Sequence, residues 1–119
     1  MPLFNPDGYE YTQTNDRNWQ KNRGQTSNNF CPGTDLSRNY PNAEWGVGGS
    51  ANPCSEEYNG VVPGSEIETD AHISLLTDNN IDAYLTITGY GQTVSYPYNT
   101  EKESQVSIFK YNPINKIFF

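Results

Sequence analysis

From Tyr11 to Pro63 the chain runs for more than fifty residues with almost no apolar periodicity, in a background of Asn, Gly, Pro and Ser. Connections inside compact domains are usually about four to six residues long, so a segment of this kind needs a covalent staple or a surrounding scaffold to hold it. Two cysteines, Cys31 and Cys54, lie within it. On residue type alone they are either free thiols or a disulfide.

The remaining sequence can bury little. Leu, Ile, Val and Phe make up 22 of the 119 residues, under the roughly 20% at which a charged chain begins to look disordered. Nine Tyr and two Trp partly offset this, because aromatic rings bury large areas. The expectation is one small domain at most, with a thin core and marginal stability alone. A net charge of −7 argues against nucleic acid, whose phosphates call for Lys and Arg opposite them. The acidic residues are scattered and read as solvated surface; the pair Glu56-Glu57 has no acid/base context. No apolar run approaches the roughly 18 residues of a membrane span, and Met1–Asn5 has neither region of a signal peptide.

Met1–Asn5 reads as the tail of an apolar strand that ends in a Pro6-Asp7-Gly8 turn. Ser65-Glu66-Ile67-Glu68 has the form of a capping box and opens a helix that ends near Asp78. Ile67, Ala71 and Leu75 form its buried stripe, widened by Ile73 and Leu76. Ile81–Thr88 has strand composition, Gly89-Tyr90-Gly91 is a turn, and Val94–Tyr98 is a short strand that Pro97 places at an edge or end. Helix followed by strands suits an α/β sandwich. Residues 99–119 differ: Gln105–Tyr111 and Lys116–Phe119 could pair as a β-hairpin or stay disordered. Their Lys, Asn, Ile, Tyr and Phe content also fits translated AT-rich non-coding sequence, which suggests a misread or truncated frame beyond Tyr98.

Three blocks carry a more specific signal: Asn5-Pro6-Asp7-Gly8-Tyr9-Glu10-Tyr11, Asn15-Asp16-Arg17-Asn18-Trp19-Gln20-Lys21-Asn22-Arg23 and Gly33-Thr34-Asp35-Leu36-Ser37-Arg38-Asn39. In this order and at these intervals they resemble the middle of zinc carboxypeptidases of the A/B type, peptidase family M14. The likeness runs from about Met1 to Tyr98, leaving residues 99–119 as a divergent tail. It implies a fragment of that family's α/β/α sandwich, a mixed central sheet flanked by helices, with a long loop region stapled by Cys31–Cys54. Closing that loop stabilises by on the order of 3 kcal/mol in the chain-entropy model. It also implies an oxidising, extracellular compartment and a leader upstream of Met1.

The resemblance also implies a chemistry and shows where this chain departs from it. The family binds zinc through His-x-x-Glu and a later His, activates the metal-bound water with a distant Glu, and hydrolyses the C-terminal residue of a peptide. Three protein ligands and one open position are what a hydrolytic zinc needs. The chain begins after the place for His-x-x-Glu and ends before the place for the general base. The family pattern Leu-Ser-Ile-His-Ser-Tyr-x-Gln stands here as Leu85-Thr86-Ile87-Thr88-Gly89-Tyr90-Gly91-Gln92. Thr88 therefore occupies the position of the third ligand, and a neutral hydroxyl is a poor one.

Gln20 stands where the family has its oxyanion arginine. Losing one oxyanion donor typically costs about 2.7–4 kcal/mol of transition-state stabilisation. Ser37 replaces the Asn of the Asn-Arg pair that clamps the substrate carboxylate; Arg38 of that pair remains. Tyr90 and Arg17 match peptide-contacting positions.

Each residue also has a structural reading. Arg38 pairs with Asp35 or faces water, Tyr90 packs in a turn, and Arg17 is a surface charge. The single histidine, His72, is a solvated or half-packed helix residue. Three functional readings follow: a carboxypeptidase piece inactive by itself and without bound zinc; a secreted monomeric pseudo-peptidase that holds peptide C-termini through Arg38; or a disulfide-stapled structural protein without a ligand.

Overall fold

A computed structural model of the chain describes residues 3–41 and 45–87. The chain divides into two units, Met1–Leu75 and Leu76–Phe119; of the second, residues 76–87 are described. The described elements are helix α1 (Pro6–Thr14), a 3-10 turn (Leu36–Arg38) and helix α2 (Ile67–Asp78).

α1 grows from Asn5, whose side chain accepts from the Gly8 amide at 3.0 Å. Pro6 opens the helix at a position where its missing N–H costs nothing, and Asp7 lies in the first turn, where the helix dipole favours a carboxylate. The Pro6-Asp7-Gly8 segment is thus the start of a helix rather than a turn closing a strand. Asn5 also donates to the Lys21 carbonyl at 3.0 Å. Beyond α1, the Arg23 guanidinium lies 3.8 Å from the Tyr11 ring centroid and 4.6 Å from that of Trp19. Tyr11 and Trp19 themselves meet edge to face at 5.0 Å. This cation–π cluster fastens the helix to the start of the loop region.

The loop region is stapled by a Cys31–Cys54 disulfide with a Cα–Cα distance of 4.9 Å. Its interior is mostly polar. Lys21, Asn22, Thr34, Asn39 and Asn59 are buried beside Leu36 and Tyr58. A loop has no ladder to satisfy its backbone groups, so side chains must do so. Asn22 accepts from the Thr34 amide at 2.7 Å and donates to the Glu66 carboxylate at 2.7 Å. Asn39 donates to the carbonyls of Asn59 and Val62 and to the Ser65 hydroxyl, and accepts from the Glu66 amide. Lys21 donates to the carbonyls of Pro53 and Ser55, on either side of Cys54, at 2.9 and 3.2 Å. Burial pushes the Lys21 pKa down, with the nearby Glu56 carboxylate opposing. Gly60 passes over Asn39 at a φ of 91°. A Cβ there would lie 2.5 Å from the Asn39 amide nitrogen, so both backbone and space require glycine.

The same side chains set the entry to α2. Ser65 donates to Glu66 and accepts from Asn39, while the Glu68 carboxylate accepts from Asn22. Glu68 therefore reaches Asn22, and the reciprocal capping box is replaced by these long-range bonds. The buried face of α2 is Thr69, His72 and Leu76. Ile67 is 82% exposed and Leu75 38%, and Ala71 is exposed, so the stripe expected from apolarity faces outward. Anchoring at Glu66 and Glu68 fixes the helix rotation, and three apolar side chains do not override it.

The expected α/β sandwich is not what the structure shows. Among the described residues there is no strand, and the fold is a mostly helical fragment with a disulfide-stapled loop. An isolated parallel bridge pairs Ser50 with Tyr58. Strand composition at residues 81–87 builds no ladder, and Leu85 and Ile87 are 72% and 88% exposed. β-Propensity expresses packing against neighbouring strands and is not a backbone preference sufficient by itself. Residues 3–5 likewise form no strand. The strand at Val94–Tyr98 and the hairpin of the tail lie outside the described residues.

Candidate functional site

Arg38 is positioned by its neighbours in sequence. Asp35 begins the 3-10 turn by accepting from the Ser37 amide at 3.0 Å and the Ser37 hydroxyl at 2.7 Å. The Asp35 amide donates to the Tyr58 carbonyl at 2.8 Å. Leu36 and Asn39 are buried on either side. This Asx-type turn leaves Ser37 and Arg38 on the wall of a cavity of about 140 Å³, which Tyr40, Trp45 and Asn59 also line. The indole Nε1 of Trp45 and the Oδ1 of Asn59 are buried without a hydrogen-bond partner.

The guanidinium is engaged on three nitrogens. Nε meets the Asp35 carboxylate at 3.1 Å, Nη2 meets Glu57 at 3.5 Å, and Nη1 donates to the Gly48 carbonyl. Gly48 has a φ of 72°, and a Cβ there would lie 3.3 Å from Nη1. The left-handed backbone that turns this carbonyl toward Nη1 favours glycine. Glu57, read from sequence as a solvated carboxylate, is 60% exposed at its side chain yet faces Arg38. Nothing in the Ser55-Glu56-Glu57 segment signals that contact, because it depends on the Ser50–Tyr58 bridge bringing distant residues together.

Arg38 and Ser37 are thus together on one wall. Arg17 and Gln20 are exposed and are not among the residues lining this cavity. The Gln20 carbonyl accepts from Asn5. Thr88 and Tyr90 lie outside the described residues.

His72 is more deeply placed than its helix position suggested. It is 4% exposed, with the Tyr40 hydroxyl 2.5 Å from Nδ1 and the rings of Phe4 and Tyr40 at 5.1 and 5.8 Å. Burial lowers its pKa below the usual imidazole value. Tyr58 is displaced in the opposite sense, its pKa raised by burial and then by the Glu66 carboxylate. Both shifts are those of groups held neutral in a shielded interior.

Among the described residues no three His, Cys, Asp or Glu side chains converge as a cation site. Both thiols are joined to each other, and the one histidine of the sequence has Tyr40 at Nδ1. Among the described residues, therefore, no donor set fits a zinc centre, which needs three converging ligands. No helix among the described residues is long and apolar enough to cross a membrane.

Comparison with known proteins gives one consistent result. The sequence pattern of the peptidase family described as zinc carboxypeptidase matches residues 1–116, beyond the Tyr98 reached by reading motifs. Carboxypeptidase A1 of Sus scrofa is 39% identical over 115 residues, covering 96% of this chain and 27% of its own length. The structure of bovine thrombin-activatable fibrinolysis inhibitor in complex with tick carboxypeptidase inhibitor superposes with a TM-score of 0.77 at 44% identity, over 82% of this chain and 34% of that one. Carboxypeptidase A from Helicoverpa armigera gives a TM-score of 0.72 at 36% identity, over 76% and 23% respectively. The chain spans about a quarter of the length of the curated relatives it matches.

Proposed function

The chain belongs to the zinc carboxypeptidase family, and on that premise we propose that it holds the C-terminal carboxylate of a peptide at Arg38 without hydrolysing it. The observation that carries this is an arginine set on a cavity wall beside Ser37, with no three zinc-binding side chains converging among the described residues. A guanidinium presents its N–H groups in a planar fork that matches a carboxylate. Ser37 supplies a hydroxyl where the family places an amide, so the clamp keeps its charge and loses reach. Thr88, Tyr90, Gln20 and Arg17 enter as secondary assignments: a hydroxyl at the third ligand position, a peptide-facing ring, an uncharged oxyanion neighbour and an outer contact. The disulfide supports an extracellular setting, since such bonds persist in oxidising compartments.

Calorimetric titration of a short peptide with a free C-terminus tests the proposal. Binding on the order of millimolar Kd is expected from one charge-assisted contact at the wall of a small cavity. It should disappear in Arg38→Ala and on amidation of the peptide C-terminus. Unchanged binding of the amidated peptide, or stoichiometric zinc accompanied by peptide cleavage, would overturn the reading.

A further inference from the structure

A guanidinium offers two edges on which a carboxylate can be bound through two N–H groups: the side edge, Nε with Nη2, and the end edge, Nη1 with Nη2. In Arg38 each edge already has an acceptor on at least one of its nitrogens. Asp35 takes Nε, the Gly48 carbonyl takes Nη1, and Glu57 lies on Nη2, the nitrogen both edges share. An incoming carboxylate therefore competes with one of these acceptors on either edge.

The three are not equally displaceable. Asp35 is fixed by its own bonds to the Ser37 amide and hydroxyl, and Gly48 is main chain. Of the two carboxylates Glu57 is the more exposed, at 60% against 20%, and the more distant, at 3.5 Å against 3.1 Å. Its backbone is nonetheless held in place: the Glu57 amide donates to Ser55 Oγ, and its carbonyl accepts from the Ser50 amide. An exposed carboxylate is thus tethered to a fixed backbone in front of the arginine.

We infer that Glu57 is an internal competitor, its side-chain carboxylate occupying on Arg38 the place that a peptide's terminal carboxylate takes. The inference rests on the reading of Arg38 as a carboxylate holder and adds its regulation. The site is closed in the free protein by Glu57 and opens when that side chain swings to solvent, a movement its exposure permits. Neutralising Glu57 raises affinity without adding any contact to the ligand, because the cost of displacement disappears.

Two measurements test this. Exposed ion pairs are weak, so Glu57→Gln should tighten binding of a free-C-terminus peptide by about twofold to fivefold. In the ligand-free protein, an arginine-specific dicarbonyl reagent followed by peptide mapping reads access to Arg38 directly, with Arg17 and Arg23 as internal references. Glu57→Gln should raise modification of Arg38 severalfold and leave the other two unchanged. If Arg38→Ala abolishes peptide binding while Glu57→Gln neither tightens it nor speeds modification, the competitor is wrong and the arginine reading stands. If Glu57→Gln speeds modification of Arg38 but no peptide binds any variant, the closed arginine is real and the carboxylate-holder reading fails. An unchanged modification rate overturns the inference whatever the peptide does.

Discussion

Between Lys21 and Glu66 the buried positions are filled chiefly by amides, an ammonium group and a threonine, with Leu36 and Tyr58 among them. α2, which follows directly, has Leu76 buried and leaves Ile67 and Leu75 partly or largely in solvent. The difference follows from where each region's backbone bonds go. A helix satisfies its own interior N–H and C=O groups, so its side chains are free to face either way. Among its described residues the loop has only scattered turns and one bridge, so its carbonyls at Pro53, Ser55, Asn59 and Val62 are met by buried side chains. Polar burial here is the substitute for a sheet, and hydrogen bonding rather than apolar area decides what lies inside.

The largest expected effect comes from removing one of these amides. Asn39 is fully buried and bonds to four partners, including the amide that starts α2. Asn39→Ala leaves several buried groups unpaired at roughly 1–3 kcal/mol each, less whatever water recovers, for a total of about 4 kcal/mol. Urea denaturation monitored by circular dichroism measures this. A loss below about 1 kcal/mol would mean that the loop does not depend on its polar interior, and the contrast with α2 would collapse.

The covalent staple should come second. Replacing Cys31 and Cys54 by Ser frees the unfolded chain and is expected to lower stability by on the order of 3 kcal/mol. Lys21 spans the same place without a covalent bond, through the carbonyls flanking Cys54. The double variant should therefore retain a native-like amide spectrum around Lys21, Asn22 and Asn39 at low temperature. Loss of those resonances along with stability would assign the whole loop architecture to the disulfide.

These two regions also differ in how far the sequence revealed them. The loop was legible as a loop, and the family resemblance implied the Cys31–Cys54 bond that the structure contains. The blocks around Arg17, Arg38 and Asn5 pointed to the family itself. The extent of α2 was legible to within its first turn, but of its buried face only Leu76 was, because Asn22 and Asn39 act on it across more than twenty residues of chain. α1 was missed although Asn5, Pro6 and Asp7 carry its start signals, since Asn-Pro-Asp-Gly serves a turn equally well. The sandwich was inferred from strand composition that finds no ladder among the described residues. The Glu57 contact with Arg38 had no local signature at all.

The smallest effect separates the two interiors most sharply. In the loop, Asn22, Asn39 and Lys21 are buried and bonded. On α2, Thr69 is also fully buried, yet its hydroxyl has no hydrogen-bond partner. A buried hydroxyl without a partner destabilises, whereas a methyl group of the same shape would not. Val and Thr have similar helix propensities, so Thr69→Val changes little except that hydroxyl. It should raise stability by about 1 kcal/mol, seen as a higher urea midpoint at constant slope. The equivalent change in the loop, Thr34→Val, serves only as a reference for volume. If Thr69→Val instead costs 1 kcal/mol or more, the hydroxyl is satisfied by an ordered water. The helix interior would then obey the same rule as the loop, and hydrogen bonding would govern burial throughout the first unit.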